Sequence, residues 1–154
     1  MHKLLSSAIP LITLLLTPCL VLAGPDGLIS KQSKYSVSET IDRLENVLKK
    51  KGITIVTRWS HSERAAGVGI NLRPTELLIF GNPKLGSHMF TSKQTSGIDL
   101  PLKALAWRDA NGKVWLSYND PAYISKRHGI TDRKEIEKKM TVALNKLTNT
   151  ATGK

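Results

Sequence analysis

Apolar residues recur at helical spacing in two stretches of the chain. In the first, spacings of four, three and four place Val37, Ile41, Leu44 and Leu48 on one helical face. Ser36 and Glu39 form a capping box before this stretch, and three lysines followed by a glycine suit its C-terminal end. In the second stretch, for which Thr131 or Asp132 is the predicted cap, the apolar residues are Ile136, Met140, Ala143, Leu144 and Leu147. The pattern predicts two helices that each cover one apolar surface.

Segments with strand patterns surround these helices. The predicted strands are residues 28–34, 53–60, 75–80, 102–108 and 113–118, and the last two flank an Asp-Ala-Asn-Gly turn that favours a hairpin. Shorter helical turns are predicted for residues 62–66 and 87–92 and after Asp120-Pro121. The order strand, helix, strand, strand, hairpin, helix predicts an α+β fold with an antiparallel-rich sheet and both helices on one face.

The N-terminal residues have the three parts of a secretory signal peptide. A positive start precedes the apolar residues 4–22, and Val21 and Ala23 are small residues at the −3 and −1 positions of a cleavage site. We expect cleavage after Ala23 and a periplasmic or secreted protein, in preference to an uncleaved anchor or a lipoprotein attached through Cys19. Because Cys19 is the only cysteine, the mature chain is expected to form no disulfide and to carry no thiol chemistry.

The predicted organisation is one domain behind this signal. It consists of a signal peptide (1–23), a leader and first strand (24–35), a single domain (28–148) and a flexible polar tail (149–154). After cleavage we expect no segment that spans a membrane.

The chain is strongly basic, with 23 Lys and Arg against 12 Asp and Glu and a net charge of +11. Removal of residues 1–23, whose only charged side chain is Lys3, leaves +10. Such a charge favours anionic surroundings: lipid headgroups, polysaccharide, nucleic acid or acidic partners. The basic residues are scattered, and the chain has no aromatic and basic motif of a nucleic-acid binder. We therefore expect no nucleic-acid partner and interpret the charge first as an aid to solubility.

Few side chains suggest chemistry. His61 follows a predicted strand, while Asp99 and Glu76 stand at the starts of two others, so loops could bring them together as an acid–base pair. His88 and Met89, with His61, form a weak candidate for a copper site, although an exposed histidine beside a buried methionine is the favoured interpretation. Nucleophile-elbow and phosphate-loop motifs are missing from the sequence, and no cofactor is predicted.

Three aromatic residues lie near the predicted hairpin. Trp107 and Trp115 flank its turn and are expected to be cross-strand neighbours, with Tyr118 at its exit. Packing is their first interpretation. The alternative is an apolar groove between Trp115 and Tyr118 on the uncovered face of the sheet.

Four motifs in sequence order resemble the domain of unknown function 302 family over residues 36–130. They comprise residues 52–54 with Arg58 and His61, residues 72–83, residues 99–103, and residues 107–121. The resemblance implies a β-α-β(4)-α fold like one half of the TATA-box-binding protein, and it allows homodimers. It also implies that the recurring polar residues of the family correspond here to His61, Glu76, Asn82, Asp99 and Tyr118.

These observations lead to three hypotheses about function. The first is an exported ligand-binding or interaction module, favoured over an enzyme, whose partner is a small molecule or a protein bound near His61, Asn82, Asp99 and Tyr118. The second is an enzyme in which His61 is the general base and Asp99 or Glu76 its partner. The third is a dimeric basic protein that associates with anionic envelope surfaces by charge. The first two require His61, Asn82 and Asp99 to lie close together.

Overall fold

A computed structural model describes residues 26–154 and the backbone of residues 21–23. The strands are β1 (Val21–Ala23), β2 (Leu28–Ser33), β3 (Thr54–Ser60), β4 (Thr75–Gly81), β5 (Leu102–Arg108) and β6 (Val114–Asn119). The helices are α1 (Val37–Lys50), α2 (His61–Ala66), α3 (Pro83–Ser92), α4 (Pro121–His128) and α5 (Lys134–Thr152), with a 3₁₀ turn at Gln94–Ile98. Except for β1, the predicted signal peptide and Cys19 lie outside the described residues.

The strands form one antiparallel sheet in the order β1-β2-β6-β5-β4-β3. The path from β2 through α1, the four strands β3–β6 and α5 is the predicted β-α-β(4)-α arrangement. The short strand β1 belongs to the segment that the predicted cleavage would remove, and it pairs only at the outer edge of β2. Five strands therefore make up the fold from residue 28 onward. Within the described residues, no helix is both long and apolar enough to cross a membrane.

Helices α1 and α5 pack on one face of the sheet, as the two apolar stripes require. Alternate strand residues such as Leu78, Ala104 and Leu116 are fully buried under Ile41 and Leu44 of α1. This alternation follows from the period of two in a strand, which sends successive side chains to opposite faces. The other face of the sheet carries Trp107 and Trp115, which lie directly across from each other with ring centroids 6.4 Å apart. Their predicted pairing is confirmed.

A β-bulge interrupts the edge strand β3. Ile55 lies opposite Phe80 and Thr57 opposite Ile79, so Val56 is an extra residue without a partner in β4. The alternating pattern of residues 53–60 did not predict this bulge. It turns Val56 outward, and more than half of the Val56 side chain is exposed.

Two helix starts differ from the prediction. Helix α3 begins at Pro83 instead of near residue 87, because the Asn82 side chain accepts a hydrogen bond from the Lys84 amide and proline suits the first helical position. Helix α5 begins at Lys134, and neither Thr131 nor Asp132 caps it. The Asp132 carboxylate instead accepts hydrogen bonds from the Ser92 hydroxyl and from the guanidinium of its neighbour Arg133.

The C-terminal residues are helical and partly buried, so the predicted flexible tail at 149–154 is wrong. Helix α5 continues to Thr152, and both Ala151 and Thr152 are fully buried. The Thr152 hydroxyl bonds back to the carbonyl one turn earlier, and its own carbonyl accepts from the Lys34 amide at 3.2 Å. Small polar residues resemble a tail in sequence, but here the hydroxyls of Thr148, Thr150 and Thr152 bond back to carbonyls one turn earlier in α5.

Candidate functional site

The sheet separates the polar residues that the sequence analysis grouped. Ser60, directly before His61, lies opposite Glu76, which in turn lies opposite Ala106 of β5. Asp99 precedes the other end of β5, where Leu102 lies opposite Phe80. Positions 102 and 106 are about 14 Å apart along an extended strand. His61 and Asp99 therefore lie at opposite ends of the sheet, and the predicted acid–base pair does not form.

Glu76 is engaged in an ion pair. Its two carboxylate oxygens accept hydrogen bonds from the Arg58 guanidinium at 2.5 and 3.1 Å, and Arg58 also reaches Asp42 of α1 at 2.5 Å. The hydrogen bond with Glu76, followed by that with Asp42, raises the pKa of Arg58 despite the opposing effect of burial. Arg58 thus links Glu76 of β4 to Asp42 of α1, while His61 is exposed at the start of α2.

Tyr118 lies in the core, on the opposite face of the sheet from Trp115. The two are three residues apart in one strand, so their side chains point to different faces. Tyr118 is almost fully buried, and this burial raises the pKa of its phenol. The predicted groove between Trp115 and Tyr118 on the uncovered face is therefore wrong.

Asp99 is part of a different cluster from the predicted one. One of its carboxylate oxygens lies 2.6 Å from Nε2 of His128, and the other accepts from Arg127 at 3.1 Å. Nδ1 of His128 lies 3.1 Å from the Thr95 hydroxyl. The side chains of His128 and Asp99 are nearly buried, and this Thr-His-Asp chain joins the 3₁₀ turn to the end of α4. His128 was not among the predicted site residues, because no spacing motif connects two residues 29 positions apart.

His88 and Met89 do not converge with His61. Both are on α3, which follows the end of β4 farthest from His61, and the helix turns the exposed His88 side chain away from the fully buried Met89. Across the described residues, no three His, Cys, Asp or Glu side chains are grouped so that they could hold a metal ion.

An apolar cavity of about 260 Å³ lies between α3, α5 and the end of the sheet near Asn82. Helix α5 supplies one wall through Met140, Ala143, Leu144 and Leu147. The opposite wall comes from α3, and the floor comes from the sheet and its connections, through Leu85, Gly86, Phe90, Ile53, Phe80, Leu100 and Leu102. Among the predicted ligand-binding residues, only Asn82 lines this cavity; His61, Asp99 and Tyr118 do not.

The rim of the cavity carries a few polar groups. Asn82 uses its side-chain oxygen to cap α3, which leaves its amide nitrogen without a hydrogen-bond partner among the described residues. The exposed hydroxyls of Thr54 and Ser87 stand at the same rim. An apolar interior with a small number of polar groups at its mouth is the usual composition of a small-molecule site.

Two backbone features shape the cavity. The bulge in β3 places Val56 at the rim, outside the regular pleat. Gly86 presents no side chain to the interior, and a Cβ atom built there would meet only the Phe90 ring, at 3.9 Å. The apolar residues of α3 could have indicated this wall from the sequence. They form a stripe on one helical face only when the helix begins at Asn82-Pro83.

Comparison with known sequences and structures agrees with this architecture. The profile of the family described as domain of unknown function DUF302 matches residues 29–147. The crystal structure of an uncharacterized conserved DUF302 protein from Bacillus stearothermophilus superposes with a TM-score of 0.74 at 21% identity. The alignment covers 81% of this chain and 98% of that one, and at this identity it shows a common fold.

Closer sequence relatives carry a different kind of name. A protein of Brucella suis biovar 1 named fluoride-specific ion channel FluC 1 is 47% identical over 104 residues, which are 68% of this chain and 41% of that protein. A Brucella melitensis biotype 1 protein named FluC 2 matches equally well over 38% of its length. The chain thus spans about two fifths of the length of these relatives.

Proposed function

Because this chain belongs to the DUF302 family, whose biochemical role its description leaves open, we propose a function from the cavity itself: the domain binds a small, mainly apolar molecule between α3 and α5. The observation that carries the proposal is the 260 Å³ apolar cavity with uncommitted polar groups only at its rim. Export through the N-terminal signal is part of the same proposal, and it would place the domain in the periplasm or outside the cell.

The size of the cavity limits the ligand. A cavity of about 150 Å³ accommodates benzene, and sites for drug-sized ligands begin near 300 Å³. The cavity of about 260 Å³ therefore suits a molecule with one or two small rings or a short acyl chain. The apolar part would contact Leu85, Phe90 and Leu144, while a carboxylate, hydroxyl or carbonyl group would remain at the mouth. There the Asn82 amide is the available donor.

Fluoride, which the names of the Brucella relatives mention, does not suit this cavity. A small, strongly hydrated anion would lose its water without gaining enough hydrogen-bond donors, which is costly in apolar surroundings. We therefore propose that the region shared with those relatives is a domain for an apolar ligand. Sodium fluoride should then leave the affinity for an acyl ligand unchanged.

A substitution that fills the cavity tests the proposal. In Gly86→Leu the new side chain would occupy the interior, while the loss of a helical glycine adds up to about 1 kcal/mol of helix stability. We expect indole and octanoate, titrated calorimetrically, to bind the wild-type chain with a negative heat-capacity change. In the variant their affinity should fall by about tenfold or more.

The matched control is Gly67→Ala. Gly67 follows α2 with a helical φ of −60°, and a Cβ atom there meets only two backbone oxygens, at 3.4 and 3.6 Å. This variant should bind both ligands as the wild type does. If neither ligand binds the wild-type chain, or if Gly86→Leu binds them unchanged, the cavity is not the binding site.

A further inference from the structure

A loop at the end of the sheet opposite the cavity exposes several apolar side chains. Between α2 and β4, Val68 is 73% exposed and Ile70 is 61% exposed, and Leu72 is also exposed. Trp59, at the end of β3 beside α2, is 43% exposed. We refer to Trp59, Val68, Ile70 and Leu72 as the loop patch. Exposed apolar groups clustered in this way mark an interaction surface more often than scattered single residues do.

The backbone holds the loop patch in an outward position. The amides of residues 67–70 all donate hydrogen bonds to carbonyls of α2, including those of Val68 and Ile70 to Ala65 at 3.1 and 2.9 Å. Gly69 has a φ of +76°, a backbone conformation that residues other than glycine rarely adopt. This turn therefore fixes the backbone that carries the exposed Val68 and Ile70 side chains.

Basic residues surround the loop patch. The Arg64 guanidinium stacks on the Trp59 ring at 4.5 Å, and Arg73 follows Leu72 directly and donates to the carbonyl of Arg108. Arg108 and Lys113 are exposed at this end of the sheet. The carboxylates here are those of Glu63, which is exposed on α2, and of Asp109, Glu76 and Asp42.

Three of these carboxylates are already used within the domain. Asp109 accepts three hydrogen bonds in the hairpin turn, including one from the Trp115 indole, and both Glu76 and Asp42 are bound to Arg58. Counted with Arg58, five basic side chains (Arg58, Arg64, Arg73, Arg108 and Lys113) stand against these four carboxylates, an excess of one positive charge around the loop patch.

We propose that the loop patch docks on an anionic lipid surface. Apolar side chains on a fixed loop would enter the boundary between headgroups and acyl chains, with Trp59 at the interface. Arg64 and Arg73 would contact lipid phosphates while their aliphatic parts remain near the apolar residues. A second copy of the chain fits less well, because its own basic rim would face this one. The proposal does not depend on the cavity, which lies at the other end of the sheet.

Quenching of Trp59 by brominated lipids tests this docking. The full-length chain is mixed with vesicles of phosphatidylglycerol and brominated phosphatidylcholine, and the signal of Trp59 is the difference between wild type and Trp59→Phe. We expect strong quenching in the wild type and its loss in Val68→Ser/Ile70→Ser. Any anchoring by the N-terminal apolar segment is the same in all variants, so the difference reports on the loop patch.

Two further variants complete the test. Ile98→Ser removes a side chain that is 71% exposed beyond the opposite end of the sheet. In this variant brominated lipid should quench Trp59 as strongly as in the wild type. Arg64→Gln/Arg73→Gln should weaken binding to anionic vesicles by about tenfold, since each basic residue near such a surface contributes substantially. Equal quenching in Val68→Ser/Ile70→Ser and the wild type would overturn the proposal. The proposal would also be overturned if sedimentation showed that the wild type is a dimer and that Val68→Ser/Ile70→Ser acts only by dissociating it.

Discussion

The His128 side chain connects two segments of the chain that no sequence motif relates. Its ring joins Asp99 to Thr95, and both His128 and Asp99 are nearly buried. We predict that His128→Leu lowers the free energy of unfolding by about 1–3 kcal/mol, because the Asp99 carboxylate loses its buried partner and keeps only the half-exposed Arg127. Urea denaturation at neutral pH measures the change.

Thr95→Val provides the comparison at this scale. Thr95 is exposed, so loss of its hydroxyl should change the free energy of unfolding by no more than about 0.5 kcal/mol. If the role of His128 is structural, His128→Leu should lower the free energy of unfolding clearly and Thr95→Val should hardly change it. An ester-hydrolysing activity that both substitutions abolish would contradict this interpretation and favour acid–base chemistry at His128 instead.

At the scale of elements, the end of α5 completes the domain. Ala151 and Thr152 are buried, the Thr152 carbonyl accepts from Lys34, and the Arg43 guanidinium donates to the carbonyls of Thr150 and Ala151. Removal of residues 149–154 should therefore lower the free energy of unfolding by about 2–4 kcal/mol. Chemical denaturation of the shortened chain measures this loss.

The C-terminal part of α5 also binds Lys31 of β2. The Lys31 ammonium donates to Asn145, Thr148 and Asn149 at 2.6–3.0 Å, so the shortened chain would lose one of these acceptors. Removal of Lys154 alone, an exposed residue beyond the helix, is the control and should have little effect. Equal stability of the two shortened chains would mean that residues 149–152 are a tail after all.

The whole molecule should fold without its first 23 residues. The sheet from β2 to β3 has five strands, and β1 adds only three residues at its edge. A chain that begins at Gly24 should unfold within about 4 °C of the full-length chain, which corresponds to about 1 kcal/mol in a domain of this size. Thermal unfolding followed by circular dichroism measures the difference.

A chain that begins at Ser33 serves as the opposite control. It lacks most of β2, including the buried Lys31, and should show no cooperative unfolding. If the chain from Gly24 also failed to unfold cooperatively, β1 would belong to the mature domain. Cleavage after Ala23 would then be incompatible with the fold.

The fold was predictable wherever one local pattern determined an element. The stripe of Ile41, Leu44 and Leu48, with Ser36 as the observed cap, defined α1 almost to the residue. The turn at 109–112 likewise set the register in which Trp107 faces Trp115. The start of α5 was missed because Asp132, a good cap by residue type, bonds to Ser92 of α3. That competition depends on a residue 40 positions away.

The candidate site was much less predictable. Of the residues expected to bind a ligand, Asn82 lines the cavity, and its local role as the cap of α3 was readable in principle from Asn82-Pro83. His61, Asp99 and Tyr118 are polar residues near strand ends, but strand register distributes them over two ends and the core of the sheet. Polarity and position along the chain do not encode that distribution.

The sequence by itself determined the basic charge, the two helical stripes, the strand order along the chain and the family resemblance. These properties depend on residue type and on spacings of a few residues, which act locally. Only the tertiary structure decided which residues meet: Asp99 with His128, Glu76 with Arg58, and α3 with α5 around the cavity. The physical reason is that strand register and helix packing join residues tens of positions apart, and each such contact depends on the burial of the whole core.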